Sequence, residues 1–188
     1  MPPSHPALWP LPFLWLHSDA RNDAALEEAL VRLPRGSGFI YRHYHLAPAE
    51  RVSRYHALAR IGRSRGHTII LADSALTARE WGADGIYGAA LSLYPTRDLL
   101  TLATAHDLTE IGQANRARAD AVLLSPVFAT RSHPGAQVLG PLRFRTLASR
   151  ANMPVIALGG MDAGKAHRLK WPRWAAIDGL AAGQREGA

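Results

Sequence analysis

The segment Ala119–Phe144 reads ADAVLLSPVFATRSHPGAQVLGPLRF and joins three kinds of sequence. It opens with the apolar run Ala119–Leu124, which is typical of a strand buried on both faces. A loop rich in hydroxyl-bearing, basic, proline and glycine residues follows, and a helix is predicted over Pro141–Arg150. Because such a loop is too polar to be a core element, we expect it to meet a ligand at the carboxyl end of the strand.

The same alternation of apolar runs and helical spacers extends along the chain. Runs that predict strands lie at Phe13–Leu16, Gly38–Tyr41, His67–Leu71, Gly85–Tyr87, Leu99–Ala103, Ala119–Leu124, Pro154–Leu158 and Trp174–Ile177. Helices are predicted over Asp23–Leu33, Pro48–Arg65, Ser74–Trp81, Asp107–Arg118, Pro141–Arg150 and Ala163–Lys170, and 89–98 is expected to be little more than a turn. Continuous apolar strands separated by helices indicate a parallel sheet covered on both faces, and eight of them predict an α/β fold, a closed (β/α)8 TIM barrel. Because 188 residues are few for this fold, the barrel should be compact, with a truncated last helix.

The chain is predicted to be a single domain, 1–188, with residues 1–12 as an N-terminal extension. The absence of cysteine excludes disulfides and thiolate metal sites. The opening residues lack the basic segment and cleavage site of a signal peptide, and no apolar stretch is long enough to span a bilayer. We therefore expect a cytoplasmic protein without a membrane partner.

A truncated last helix would leave the seam between the first and last strands without cover. Exposed apolar area of this kind is usually covered by another part of the chain or by a partner. We expect either a second subunit in a homodimer or the apolar residues near the N-terminus to fill the gap, namely Leu8, Trp9, Leu11 and Phe13.

The net charge of +7 comes almost wholly from arginine. Several arginines fall within one predicted helix and its exit, at positions 51, 54, 60, 63 and 65. No nucleic-acid-binding motif accompanies them. We interpret them as a solvated basic face rather than a nucleic-acid surface, and note that a positive field favours phosphate-bearing small ligands.

The order and spacing of several short motifs resemble those of thiamine-phosphate synthases and their relatives, the thiazole tautomerases, along nearly the whole chain. The motifs that carry the resemblance are Leu14–Arg21, Ile69–Asp73, Gly82–Ile86, Ala119–Ala121, Ser125–Thr130 and Met153–Met161. The resemblance implies a TIM barrel of thiamine biosynthesis that binds a phosphorylated small molecule. Its activity would be that of a transferase or an isomerase.

One half of the implied site would hold the phosphate of a thiazole substrate. Thr130-Arg131-Ser132 resembles the T-x-T segment of the family, Gly159-Gly160 matches its phosphate loop, and Ile177-Asp178 matches its final contact pair. Glycine suits this role because it lets backbone N–H groups approach an anion. Asp178 departs from the family's serine and places a carboxylate near the phosphate. The alternative is that the glycines form a strand-ending turn and that Thr130 caps a loop.

The other half, which in the family grips a pyrimidine diphosphate and magnesium, is poorly matched. Arg42 is retained from the Q-x-R-x-K motif, but the other groups are replaced: Ile40 and Tyr44 stand for Gln and Lys, Ala72 for Asn, Ser92 for Asp and His133 for Lys. Departure of diphosphate needs cations that neutralise developing charge. We therefore expect weakened Mg²⁺ binding and little synthase chemistry. Asp73 is interpreted either as a remaining metal ligand or as a helix-capping residue beside Ser74.

A histidine suggests what activity is left. Thr104-Ala105-His106-Asp107 resembles the tautomerases' S-V-H segment, whose histidine is the acid/base. An imidazole group titrates near neutrality, so it can transfer protons at neutral pH without the help of a metal ion. His43 and His133 are secondary candidates, and His106 is otherwise a strand-ending residue. The predicted function is thus thiazole-phosphate binding with tautomerase-like proton transfer. The alternative is a non-catalytic barrel that binds or senses a phosphorylated ligand.

Overall fold

The computed structural model describes residues 10–93, 96, 98–130, 135 and 137–181. Eight parallel strands form a closed barrel in sequence order. They are β1 Leu14–His17, β2 Gly38–Tyr41, β3 Thr68–Leu71, β4 Gly85–Ala89, β5 Leu100–Ala105, β6 Ala121–Leu124, β7 Val155–Ala157 and β8 Trp174–Ala176. The barrel closes through β1 and β8, where Leu16 pairs with Ala176. The predicted TIM barrel is confirmed.

Helices follow the strands on the outside of the barrel. They are α1 Leu26–Arg32, α2 Pro48–Ser64, α3 Ala75–Trp81, α4 Leu108–Ala117, α5 Gly140–Ala148, α6 Ala163–Leu169 and α7 Asp178–Ala181. Short 3-10 helices lie at Ala20–Ala25, before α1, and at Ala90–Ser92, where only a turn was expected. Within the described ranges, no helix has the length and apolar character that crossing a membrane requires.

Side chains that alternate along the strands divide the core in two. The inner cluster fills the barrel with Trp15, Ile40, Ile70, Leu102, Ala121, Leu123, Ile156 and Ala175, while the other apolar strand residues pack against the helices. Trp15 is fully buried and its indole N–H donates to the carbonyl of Pro12 at 2.9 Å. This pattern follows from the two-residue period of a strand.

Part of the N-terminal extension closes the amino end of the barrel. Leu11 packs against the inner cluster. The expectation for Phe13 was wrong: its side chain is 60% exposed, and only its backbone carbonyl takes part, accepting from the N–H of Trp174 at 3.0 Å. Leu8 and Trp9 lie outside the described residues. The single-domain boundary, the covering role of residues 1–9 and the homodimer stay predictions.

Candidate active site

A cavity at the carboxyl ends of the strands, lined by described residues, has a volume of about 780 Å³. It brings together eight residues that the sequence singled out: Arg42, Thr104, His106, Thr130, Gly159, Gly160, Ile177 and Asp178. Arg131, Ser132 and His133 lie outside the described residues. Asp73 does not line the cavity. The loops after parallel barrel strands meet at one end, which explains why residues so distant in sequence converge.

Gly159 and Gly160 lie in the loop after β7 and pack against the loop after β6, which leaves no room for a side chain at either position. Both have left-handed backbones, with φ of 93° and 61°. A Cβ on Gly159 would lie 2.5 Å from the Cα of Pro126, and one on Gly160 would lie 2.2 Å from the carbonyl oxygen of Ala129. Packing therefore requires glycine at both positions, whatever the pair binds.

A lysine that the sequence analysis missed stands beside this glycine pair. The Lys165 ammonium donates to the carbonyl of Gly160 at 2.6 Å and lies 3.2 Å from a carboxylate oxygen of Asp162. The available signal was that Lys165, one of only two lysines, falls in the first turn after the glycines. The carboxylate of Asp178 is offset by Arg21, whose Nη1 lies 3.6 Å away. This end of the cavity therefore places one lysine and the glycine backbone beside the carboxylates of Asp162 and Asp178.

His106 follows β5 directly and lines the cavity with an exposed side chain. Its Nδ1 is 2.8 Å from Oε2 of Glu110, and the same oxygen accepts the backbone N–H of His106 at 2.6 Å. Because a carboxylate only accepts, Nδ1 carries the proton and Nε2 is the basic nitrogen. Glu110 was not predicted, although its position four residues after His106, on α4, was a usable signal.

Arg42 is positioned by a buried network that includes His43. The backbone N–H of Arg42 donates to Oγ of Ser18 at 2.8 Å, and the Ser18 hydroxyl lies 2.9 Å from Nδ1 of His43. Nε2 of His43 lies 2.8 Å from Oδ1 of Asp23, to which the Nε–H of Arg54 also donates at 2.8 Å. Burial lowers the pKa of His43, although Asp23 raises it. His43 is buried behind the cavity and does not line it. It holds the ends of β1 and β2 together.

The residues that the resemblance assigned to magnesium do not fit that ion. The Asp73 carboxylate accepts from Arg51 at 2.6 Å and from the backbone N–H of Ser74 at 2.7 Å. Arg51 also donates to the carbonyl of Ala72 at 3.0 Å, so a guanidinium already neutralises this corner. Burial raises the pKa of Asp73, but the hydrogen bonds from Arg51 and Ser74 lower it further, below its usual range. Ser92 is exposed and outside the cavity, and no group of three His, Asp or Glu in the described ranges could hold a metal.

Fold and cavity together place the chain in the class of TIM barrels whose candidate site is built by the loops after the strands. A sequence model of the family described as Thiamine monophosphate synthase, TMP-TENI, matches residues 16–183. The chain belongs to this family. The resemblance drawn from the short motifs is confirmed.

Individual relatives give the extent of the likeness. The thiamine-phosphate synthase of Chloroflexus aurantiacus is 28% identical over 129 residues, which cover 65% of this chain and 60% of that protein. A relative from Aquifex aeolicus is 41% identical over 58 residues, 31% of each chain. The matches thus span less than two thirds of either curated relative. A solved thiamine phosphate pyrophosphorylase from Pyrococcus furiosus aligns over 93% of this chain and 89% of that chain, with 21% identity and a TM-score of 0.71, which shows the shared fold.

Proposed function

We propose that the protein acts in thiamine biosynthesis by binding a thiazole phosphate and moving a proton within it, without a metal. The observation that carries this proposal is that one cavity holds both His106, with its Glu110 partner, and the Gly159-Gly160 loop. Family membership supports thiamine biosynthesis as the setting. The Arg51–Asp73 ion pair argues against magnesium-dependent synthase chemistry.

The proposed mechanism uses two ends of the cavity. Backbone groups at Gly159-Gly160, together with Thr130 and Lys165, hold the phosphate and so fix the ring relative to His106. Nε2 of His106 takes a proton from one ring position, the Glu110 carboxylate stabilises the imidazolium, and the imidazolium, whose proton exchanges with solvent, donates a proton to another ring position. The reaction is an isomerisation, so no co-substrate is consumed. Positioning a reactant against one acid/base group is enough for this chemistry.

We expect His106→Gln to lower the rate of thiazole-phosphate isomerisation at least about 100-fold, the usual contribution of a positioned acid/base group. Affinity for the thiazole phosphate should change little, since the phosphate end is intact. Incorporation of deuterium from D₂O into the ring, followed by NMR in the presence of EDTA, measures the step directly. His167→Gln, an exposed histidine on α6, is the matched control and should keep the wild-type rate.

Three results would contradict this function. Loss of turnover on adding EDTA would show that a metal is required. Magnesium-dependent formation of thiamine phosphate from a thiazole phosphate and the pyrimidine diphosphate would show that synthase chemistry does not need the family residues that are replaced in the diphosphate half of the site. Binding of thiazole phosphate with neither activity would instead favour the non-catalytic barrel.

The phosphate end has its own test. We expect Thr130→Ala to weaken the binding of inorganic phosphate by about 10-fold, because a hydrogen bond to a charged group contributes about 1.5 kcal/mol. Isothermal titration measures this loss. Thr109→Ala removes an exposed hydroxyl from α4 and should have no effect. Equal affinities for the wild type and Thr130→Ala would remove Thr130 from the site.

A further inference from the structure

His17 is a buried polar side chain whose hydrogen-bonding groups the proposed mechanism does not use. It ends β1, is 1% exposed and lines the cavity. Within the described part of the chain, neither Nδ1 nor Nε2 has a hydrogen-bond partner. Burying unpaired polar atoms costs stability, and an apolar side chain would fill the same place without that cost. The two nitrogens therefore indicate a partner that enters the cavity.

The surroundings of His17 keep its ring uncharged. Burial, reinforced by the charge of Arg42 and opposed by that of Asp19, lowers the pKa of His17 to about 3. The ring of Tyr87 meets it edge to face, with centroids 5.1 Å apart. A neutral imidazole presents one N–H donor and one acceptor nitrogen. Such a group suits a neutral polar partner better than an anion.

Strand register places His17 between the two halves of the cavity. Leu16 pairs with Ala176 on β8, so the next residue, His17, stands beside Ile177 at the phosphate end. On its other side His17 pairs with Ile40 of β2, two residues before Arg42. A ligand whose phosphate lies at Gly159-Gly160 would extend its ring past this position.

We propose that His17 is a specificity-determining residue that hydrogen-bonds the ring of the bound phosphate ester and selects an uncharged heteroaromatic ring with a ring nitrogen. This inference rests on the proposed function, since it takes the phosphate to be bound at the glycine loop. The imidazole N–H donates to the ring nitrogen of the ligand, and the edge-to-face contact with Tyr87 holds the imidazole plane. The role is one of recognition and needs no proton transfer at His17.

The test compares His17→Leu, which removes both polar nitrogens, with His17→Asn, which keeps a donor and an acceptor. Isothermal titration with a thiazole phosphate and with inorganic phosphate is the measurement. We expect His17→Leu to bind the thiazole phosphate at least about 10-fold more weakly, the loss of one buried hydrogen bond. It should bind inorganic phosphate as the wild type does, and its ligand-free melting temperature should rise. His17→Asn should recover part of the lost affinity.

Three outcomes would overturn the inference, and they can be told apart. Unchanged affinity of His17→Leu for the thiazole phosphate would show that the ring does not contact His17. An equal loss for both probes would assign His17 to the phosphate instead. A wild-type protein that binds inorganic phosphate but no thiazole phosphate would overturn the proposed function itself and this inference with it.

Discussion

Replacing Gly159 with alanine is expected to lower the free energy of unfolding by about 3 kcal/mol or more, from left-handed strain and overpacking together. The backbone at Gly159 has φ of 93°, and the new methyl would lie 2.5 Å from the Cα of Pro126 and 3.1 Å from the backbone nitrogen of Val127. Both neighbours are main-chain or proline ring atoms, which have no rotamer to escape into. The steric overlap at the new methyl group could be relieved only if the loops after β6 and β7 moved apart. Urea unfolding followed by circular dichroism measures the loss.

Gly36→Ala is the matched control for this substitution. Gly36 also has a left-handed backbone, with φ of 75°, but an added Cβ would meet nothing within 4 Å. Only the conformational cost remains, so we expect a loss of about 1 kcal/mol. If the two variants lost the same stability, steric contact between the β6 and β7 loops would not be what demands glycine at 159.

The second large expected effect is a loss of folding stability at acidic pH. Relative to His17→Leu, the wild type should lose about 3 kcal/mol of additional stability between pH 7 and pH 4, since one pKa unit corresponds to about 1.4 kcal/mol. The pKa of His17 falls to about 3 in the folded state from 6.5 in the unfolded chain, because burial and Arg42 disfavour the charged ring. Between these values the unfolded chain binds a proton that the native state does not. Stability therefore declines as the pH drops below 6.5 and stops declining for this reason below about 3.

Urea unfolding of both proteins at a series of pH values makes the comparison. Other groups face His17 or titrate in the same range, notably Asp19, His43 and His67, and burial lowers the pKa of the last two as well. These groups are present in both proteins, so their contributions cancel in the difference. Parallel stability curves for the wild type and His17→Leu would show that the ring of His17 is solvated or protonated in the native protein.

The fold was predictable because parallel strands in a barrel are buried on both faces and so leave unbroken apolar runs. The run Pro154–Leu158 contains β7, and the helix predicted over Pro48–Arg65 is observed as Pro48–Ser64. The first helix was less accurate. It was predicted from Asp23, but the chain forms a 3-10 helix over Ala20–Ala25, where the Asp19 side chain accepts a hydrogen bond from the N–H of Arg21. Local capping chemistry of this kind shifts boundaries without changing the order of elements.

The site was less predictable because its chemistry depends on where side chains point. His17 ends an apolar stretch and reads in sequence as one more strand residue, yet it faces the cavity. Asp73 reads as a metal ligand or a cap, and only the fold reveals that Arg51, 22 residues earlier, binds its carboxylate. Positions that a motif fixes, such as Gly160 and His106, were predicted from the sequence to lie at the site, and both line the cavity. Their partners, Lys165 and Glu110, were recognised only once the loops were placed together.

The Arg51–Asp73 ion pair also limits what substitutions at neighbouring positions could achieve. A chain with Asn at 72 and Asp at 92 would still hold a guanidinium against Asp73, bonded at 2.6 Å. Removing Arg51 first would leave a part-buried carboxylate without its partner and would free the carbonyls of Arg42 and Ala72 that it also binds. Magnesium binding at Asp73 would therefore need all of these changes together, since new ligands at 72 and 92 do not displace the guanidinium and removing Arg51 alone supplies no new ligand.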